Sequence, residues 1–330
     1  MENLKISDSI LQVSIVCAVY NETACLPELV TRLEQTLAIY DYEIIFVDDG
    51  SVDGTWEIIK EFGKANQSIK GIRLSRNFGH HIALTAGLDL AIGKWIVLMD
   101  GDLQDPPESI HDLLREASKG FDIVVARRIQ KKHNIVKRAL SKLFSLTISW
   151  LSGIKFDSSE GIFRVFNNNV AVALKSMREE AHFLVGLINW VGFSVSTIDI
   201  NHQSRYSGSS KYPLVKQARL AILALISFSD KPLKMVMFGG FLFSFMGFIY
   251  AGYIIQQALR GQIAVSGYAS LISVILIISG ITIFCVGLVG LYVGKIFSQV
   301  KFRPLYLLRE TTGIPTASTL PSNLIKNNFK

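Results

Sequence analysis

The sequence predicts an α/β protein, a doubly wound and mostly parallel sheet in the larger N-terminal part, followed by two membrane-spanning helices. Three observations predict it. Short unbroken apolar runs (Val13–Val19, Glu43–Val47 and the run ending Val97-Leu98-Met99) alternate with amphipathic stretches at Leu26–Ile39, Thr55–Ala65, Ile82–Ala91 and Pro107–Ser118. Each of those runs empties into polar and acidic residues. Near the C-terminus, Met235–Ile255 and Ala269–Val293 carry no charge, and at about 1.5 Å per residue each is long enough to cross a hydrocarbon core of about 30 Å.

The elements follow in order. The first strand ends in Tyr20-Asn21-Glu22. The second reads as a buried parallel strand and runs into Asp48-Asp49-Gly50-Ser51, then Asp53-Gly54-Thr55, where Asp53 is placed to hold the start of the next helix. The third ends in Asp100-Gly101-Asp102-Leu103-Gln104-Asp105-Pro106-Pro107, two carboxylates one residue apart before a proline-forced turn. In open α/β sheets, ligands bind beyond the carboxyl ends of the strands. Carboxylates at i and i+2 there converge on one hard divalent cation, whose shell is completed by water and substrate phosphate. Gln104 adds an oxygen or holds a metal-bound water. A lone Asp-x-Asp is usually a solvated acidic turn, but here three strands deliver polar and acidic groups to one edge.

Composition agrees. The chain has 330 residues, 49% of them hydrophobic, enough for one domain of ordinary size plus a membrane region. Met1–Ile10 is polar, so no cleavable signal peptide is expected. Lys211, Lys216, Arg219, Lys231 and Lys234 precede the first span and Lys295, Lys301, Arg303 and Arg309 follow the second, whereas the connecting loop carries only Arg260. The positive-inside bias then places both flanks and both termini in the cytoplasm. Cys17, Cys25 and Cys285 have no paired or metal-like spacing, which fits a reducing compartment.

The net charge of +7 is not a nucleic-acid signature, because the basic residues flank apolar helical segments without aromatic interleaving. Lys137–Leu151 has the pattern of a helix lying in an anionic lipid interface, and Pro213–Ser229 is a second candidate; covering the sheet or packing against each other is the alternative for both. No Gly-x-Gly-x-x-Gly follows the first strand, which excludes a dinucleotide oxidoreductase. Gly287, Gly290 and Gly294 put small residues on one face of the second span, the spacing for close helix approach in a homo-oligomer or against the first span. The tail from Glu310 to Lys330, rich in Thr, Ser, Asn and Pro, is expected to be mobile.

Taken together, Val19-Tyr20-Asn21-Glu22, Val47-Asp48-Asp49-Gly50-Ser51 with Asp53-Gly54-Thr55, Arg76-Asn77-Phe78-Gly79-His80, Asp100–Glu108 and Arg205-Tyr206-Ser207-Gly208-Ser209-Ser210-Lys211-Tyr212-Pro213 resemble family 2 glycosyltransferases of the GT-A fold. The resemblance is to the polyprenyl-phosphate branch, with its bactoprenol glucosyltransferases and dolichol-phosphate mannose synthases, and covers roughly residues 10 to 300. It implies a GT-A catalytic domain over 1–205, an acceptor loop and juxtamembrane helix over 206–232, two transmembrane helices over 233–297 and a cytoplasmic tail over 298–330.

The same resemblance implies an inverting, metal-dependent hexosyltransferase of the bacterial inner (plasma) membrane. Its partners are a nucleotide sugar and a polyprenyl phosphate, with no nucleic acid. UDP-glucose is the expected donor and undecaprenyl phosphate the expected acceptor. The alternatives are GDP-mannose, UDP-galactose or UDP-N-acetylglucosamine as donor, dolichyl phosphate as acceptor, and a non-enzymatic nucleotide- or lipid-binding membrane module. Donor contacts are expected at Tyr20, Asn21, Glu22, Asp48, Asp49 and Asp100, and Mg2+ or Mn2+ at Asp100, Asp102 and Gln104. The acceptor phosphate is assigned to Arg127, Arg138, Ser141, Arg205 and Lys211. Asp157-Ser158-Ser159-Glu160-Gly161-Ile162-Phe163-Arg164 resembles the family's Gly-x-Phe-Arg region, but Ile162 stands where many relatives have Asp or Cys. Asp157 or Glu160 then supplies any catalytic carboxylate, with Arg164 beside them. Val185 stands where relatives often carry Arg. No Gln-x-x-Arg-Trp precedes the membrane region, which argues against a processive synthase.

Overall fold

The computed structural model describes residues 11–128, 160–179, 183–201, 231–260 and 267–314. They fall into two compact units, one built on a sheet and including the chain from Pro304 onward, the other holding two long helices up to Arg303. Arg138, Ser141, Asp157, Arg205, Lys211, both amphipathic candidates and the tail beyond 314 lie outside the described residues.

The sheet unit is built around β1 (Val13–Val19), in which every residue is buried. Runs of Val, Ile and Ala suit a strand covered on both faces. β1 pairs in parallel with β2 (Tyr42–Asp48) on one side and β4 (Trp95–Asp100) on the other, and β2 pairs in parallel with β3 (Ile69–Leu74). Between them run α1 (Leu26–Leu37), α2 (Thr55–Ala65) and α3 (His80–Leu90). Pro27 opens α1 where its missing N–H costs nothing. Its Leu26, Leu29, Val30, Leu33 and Leu37 then lie on one buried stripe. In α3 the buried face includes Gly87, where a Cβ would come within 2.5 Å of Val16 Cγ1. Glycine there lets the helix lie close on β1 and β2.

After β4 come a 3-10 turn at Pro107–Ser109 and α4 (Ile110–Ala117), which buries Ile110, Leu113, Leu114 and Ala117. β5 (Ile123–Arg128), β6 (Glu160–Asn167), α5 (Asn168–Ser176), α6 (Leu184–Trp190) and β7 (Val195–Ile200) complete this side. The Asn167 side chain accepts from Val170 N and caps α5. β6 lies between β4 and β5, antiparallel to both, and β7 pairs in parallel with β5. The predicted α/β sheet is therefore mixed at its flanks and parallel at its centre.

The far edge departs from expectation. Leu308–Thr312 forms an eighth strand, β8, antiparallel to β3, giving the order β7-β5-β6-β4-β1-β2-β3-β8. Glu310, Thr311 and Thr312 thus belong to the sheet rather than to a mobile tail. Their short, polar run carries no apolar pattern, so only pairing with β3 identifies it as a strand.

The helical unit contains α7 (Lys231–Leu259) and α8 (Tyr268–Val300). Ile277–Val300 within α8 spans 24 residues of mean hydropathy 2.2 with none of it buried, long and apolar enough to cross a membrane. Of the two expected spans, this is the one helix among the described residues that meets that length; the apolar stretch of α7, Leu233–Gly247, is shorter. Tyr250, Tyr253, Gln256 and Gln257 dilute the rest.

Candidate active site

The carboxyl ends of β1, β2 and β4 meet at one edge. In register, Ala18 lies opposite Asp100, and Asp49 N donates to Val19 O at 3.0 Å. Two non-glycine residues there adopt left-handed backbone, Asn21 (φ 55°) after β1 and buried Leu103 (φ 58°) after β4. For a residue the size of leucine that conformation is uncommon, and it persists only where the surroundings enforce it.

The β1 and β2 loops are stitched together. Asn21 N donates to Ser51 Oγ (2.9 Å), Val52 N to Asn21 Oδ1 (3.0 Å) and Glu22 N to Thr55 Oγ1 (3.0 Å). Asp53 holds the start of α2, accepting from Thr55 N at 3.1 Å and Thr55 Oγ1 at 2.6 Å. Tyr20 is exposed beside this lattice.

Asp48 and Asp49 are both buried. Asp48 Oδ1 accepts from Ser51 N at 2.8 Å, while its Oδ2 faces Arg73 Nε at 3.3 Å. Asp49 accepts from Phe78 N (2.7 Å) and Gly79 N (2.9 Å), so it also fixes the turn that starts α3. Burial pushes both carboxyl groups above the usual range, against the hydrogen bonds that favour their charge.

That turn places His80 at the head of α3, where its Nε2 meets Asp100 Oδ1 at 2.9 Å. Burial disfavours a charge on His80, but the Asp100 carboxylate and then Asp49 outweigh it and raise the imidazole pKa. Burial alone would raise Asp100; His80 and then Arg128 hold it below its usual value. Asp102, buried beyond Gly101, accepts from Gln104 N at 3.1 Å. Asp100, Asp102 and Gln104 carry side-chain oxygens of the kind that a hard divalent cation takes. Asp100 already faces the His80 imidazole and, farther off, the Arg128 guanidinium, an environment that favours its carboxylate form as a bound cation would. Among the described residues no group of three or more His, Cys, Asp or Glu is arranged to hold a metal.

Sequence reasoning missed Arg128. Its Nη2 lies 3.0 Å from Asp105 Oδ2 and 3.9 Å from Asp100 Oδ2. Arg127, the predicted neighbour, instead places Nε on Asp199 Oδ1 at 2.6 Å, a half-exposed pair. The β5–β6 register shifts between Val125 and Arg127, and such an irregularity re-aims side chains in a way that alternation cannot predict. Two adjacent arginines at a strand end were the visible signal, though not which one faces the carboxylates.

Glu160 opens β6 opposite Arg127. Arg164 is fully buried, giving Nη2 to Gly161 O (2.6 Å) and Nε to Ile162 O (3.3 Å), with no hydrogen-bond partner for Nη1 among the described residues. Burial pulls its pKa down to about 10.

Residues 14–176 match the family model described as Glycosyl transferase family 2, and residues 231–296 match the GtrB C-terminal hairpin. The chain is 36% identical over 307 residues to the glycosyltransferase YkcC of Bacillus subtilis, covering 92% of this chain and 95% of that one. It belongs to glycosyl transferase family 2. The transferase is also 32% identical over 304 residues to the SfII prophage-derived bactoprenol glucosyl transferase of Shigella flexneri (91% of this chain, 98% of that one). A third relative is the undecaprenyl-phosphate 4-deoxy-4-formamido-L-arabinose transferase of Shewanella sediminis, 33% identical over 335 residues (98% of this chain, 100% of that one). With the C-terminal hairpin, these place the transferase in the polyprenyl-phosphate branch that its motifs resemble.

Proposed function

We propose that the transferase moves glucose from UDP-glucose onto undecaprenyl phosphate at the cytoplasmic membrane face, with inversion at the sugar carbon. The observation that carries this reading is the meeting of Asp100 and Asp102 with the β1 and β2 loops at one sheet edge, in a chain that also carries the C-terminal hairpin. The names of the bactoprenol and undecaprenyl-phosphate relatives support a lipid-phosphate acceptor.

Tyr20, Asn21, Glu22, Asp48 and Asp49 are assigned to the donor's base and ribose, where carboxylates accept from ring N–H and hydroxyl groups. Asp100, Asp102 and Gln104 would hold Mg2+ or Mn2+, and the ion when bound would supply Lewis-acid stabilisation of the leaving diphosphate. Arg128 then turns from Asp100 toward phosphate oxygens, for which its planar fork is suited. The acceptor monophosphate, with a second pKa of about 6, arrives anionic and needs placement more than deprotonation. Arg138, Ser141, Arg205 and Lys211 are assigned to that placement, with Arg127 at the margin. Asp157 or Glu160 supplies any carboxylate the site needs, and buried Arg164 holds positive charge beneath it. Two spans, α7 and α8, with both termini cytoplasmic complete the reading, and the Gly287–Gly290–Gly294 face is assigned to close helix packing, in a homo-oligomer or against α7.

The test is sugar transfer by the purified transferase in detergent, with a panel of labelled nucleotide sugars, undecaprenyl or dolichyl phosphate, and Mg2+, Mn2+ or chelator. Transfer from UDP-glucose to undecaprenyl phosphate, abolished by chelator and by Asp102→Asn with the fold intact, is expected. Lys211→Ala should raise the acceptor KM and leave UDP binding unchanged. Transfer that survives Asp102→Asn and still needs metal would remove Asp102 from the ligand set.

A further inference from the structure

The chain after α8 rejoins the sheet unit at two places that the transfer chemistry does not explain. Tyr306 is buried and donates to Asp89 Oδ2 at 2.7 Å, on a carboxylate that Arg178 grips with both Nη1 (2.8 Å) and Nη2 (2.6 Å). Ser75 N donates to Leu307 O, and β8 then pairs with β3 so that Glu310 lies opposite Arg73. The Glu310 carboxylate is shared. Its Oε2 accepts from Trp56 Nε1 at 2.8 Å, and its Oε1 lies 3.4 Å from Arg73 Nη1.

Arg73 is the link to the ligand edge. Its Nη2 donates to Ser51 O at 3.0 Å, and its Nε faces the buried Asp48 Oδ2 at 3.3 Å without a well-aligned hydrogen bond. One guanidinium thus has Glu310 on one side and the Asp48–Ser51 loop on the other. An arginine with that many rotamers is costly to immobilise, and a carboxylate behind it reduces the freedom it would otherwise keep.

We propose that Glu310 is a positioning residue for the donor site: by orienting Arg73 it holds the Asp48–Ser51 loop in its nucleotide-binding form, so the strand that follows the membrane hairpin is part of the donor-binding machinery. This deepens the donor assignment above and rests on it. Glu310 touches no substrate. Its effect passes through Arg73 to Ser51 and Asp48, and it bears on donor affinity rather than on the acceptor.

The experiment compares wild type, Glu310→Gln and Trp56→Phe, each full-length in detergent, by UDP titration, acceptor KM and thermal midpoint. In Glu310→Gln the amide oxygen can still accept from Trp56 Nε1, while its NH2 faces the Arg73 guanidinium and releases it. Roughly tenfold weaker UDP binding is expected from loss of the charge-assisted contact, with the acceptor KM and thermal midpoint unchanged. Trp56→Phe removes the other bond and core volume, so it should lower the midpoint and leave UDP affinity near wild type. Wild-type UDP affinity in Glu310→Gln overturns the proposal. So does a parallel loss of midpoint and affinity in both variants, which would make β8 a structural strap only. If the wild type binds no UDP, the donor assignment itself fails and this inference falls with it.

Discussion

Asp49 shows how one side chain can serve the fold and the site together. Its two oxygens take the amides of Phe78 and Gly79, and those amides start the helix that carries His80 to Asp100. Asp49→Asn replaces one acceptor with an NH2 that faces a backbone donor. A loss of about 1–3 kcal/mol of stability is expected, together with weaker nucleotide binding, measured by chemical unfolding and UDP titration. A midpoint equal to wild type would mean that the turn does not depend on Asp49. The His80–Asp100 contact has a pH signature. His80 is raised above its usual 6.5, so the stability it contributes is fully present below 6.5 and is lost as pH rises through the folded value. Asp100 is lowered below 3.8, so its share is present above 3.8 and lost only as pH falls through its folded value. The other groups that raise His80, Asp49 and Asp102, are carboxylates. With chelator present, the thermal midpoint should fall as pH rises from about 6.5, and His80→Gln should flatten that step. An unchanged slope in His80→Gln would assign the titration elsewhere.

Among the elements, the turn after β4 carries the most consequence. Gly101 lies between the two carboxylates, and a Cβ there would come 2.5 Å from Val19 Cγ1. Val19 is buried and β-branched, so it has little room to yield. Gly101→Ala should therefore push Asp100 and Asp102 apart from the β1 end, costing about 1–3 kcal/mol and reducing transfer by roughly a hundredfold, because such sites tolerate little displacement. Unfolding and transfer assays on the same preparation measure both, and near-normal transfer would show that the turn adapts. The Asp-Gly-Asp turn stood out because three strand ends deliver polar and acidic groups to the same edge, where a lone Asp-x-Asp would read as a solvated turn. The choice of Arg128 over Arg127 was not, because it depends on the register shift of β5 against β6. Likewise β8 was invisible: a strand of Leu-Arg-Glu-Thr-Thr has its warrant in the free edge of β3, and nothing local marks it.

At the scale of the whole molecule, the helical unit decides where the chemistry takes place. The proposed topology of two spans with cytoplasmic flanks puts Arg260, between α7 and α8, on the far side of the membrane. A cysteine introduced by Arg260→Cys should react with a membrane-impermeant maleimide added outside intact cells, whereas Lys301→Cys should react only after permeabilisation. Cys17 and Cys25 are buried, and a Cys285→Ser background removes the half-buried thiol in α8. Labelling of both positions from the same side would mean that α8 does not cross, and labelling of Lys231→Cys from the same side as Arg260→Cys would mean that α7, whose apolar stretch is shorter, does not.

The sequence by itself determined the α/β class, the three strand ends that meet at one sheet edge, and the apolar C-terminal helices. Each of these is written in local periodicity and in residue types that have few other uses at those positions. The tertiary structure alone decided how Asp48 and Asp49 divide their oxygens, that His80 and Arg128 face Asp100, and that the residues after the hairpin extend the sheet beside β3 and the Asp48–Ser51 loop. These are partnerships between residues far apart in the chain. Glu310 with Trp56 or Arg73, and Tyr306 with Asp89, have no local signal because the free energy that selects them comes from burial and hydrogen bonding available only once β3 and α3 are in place.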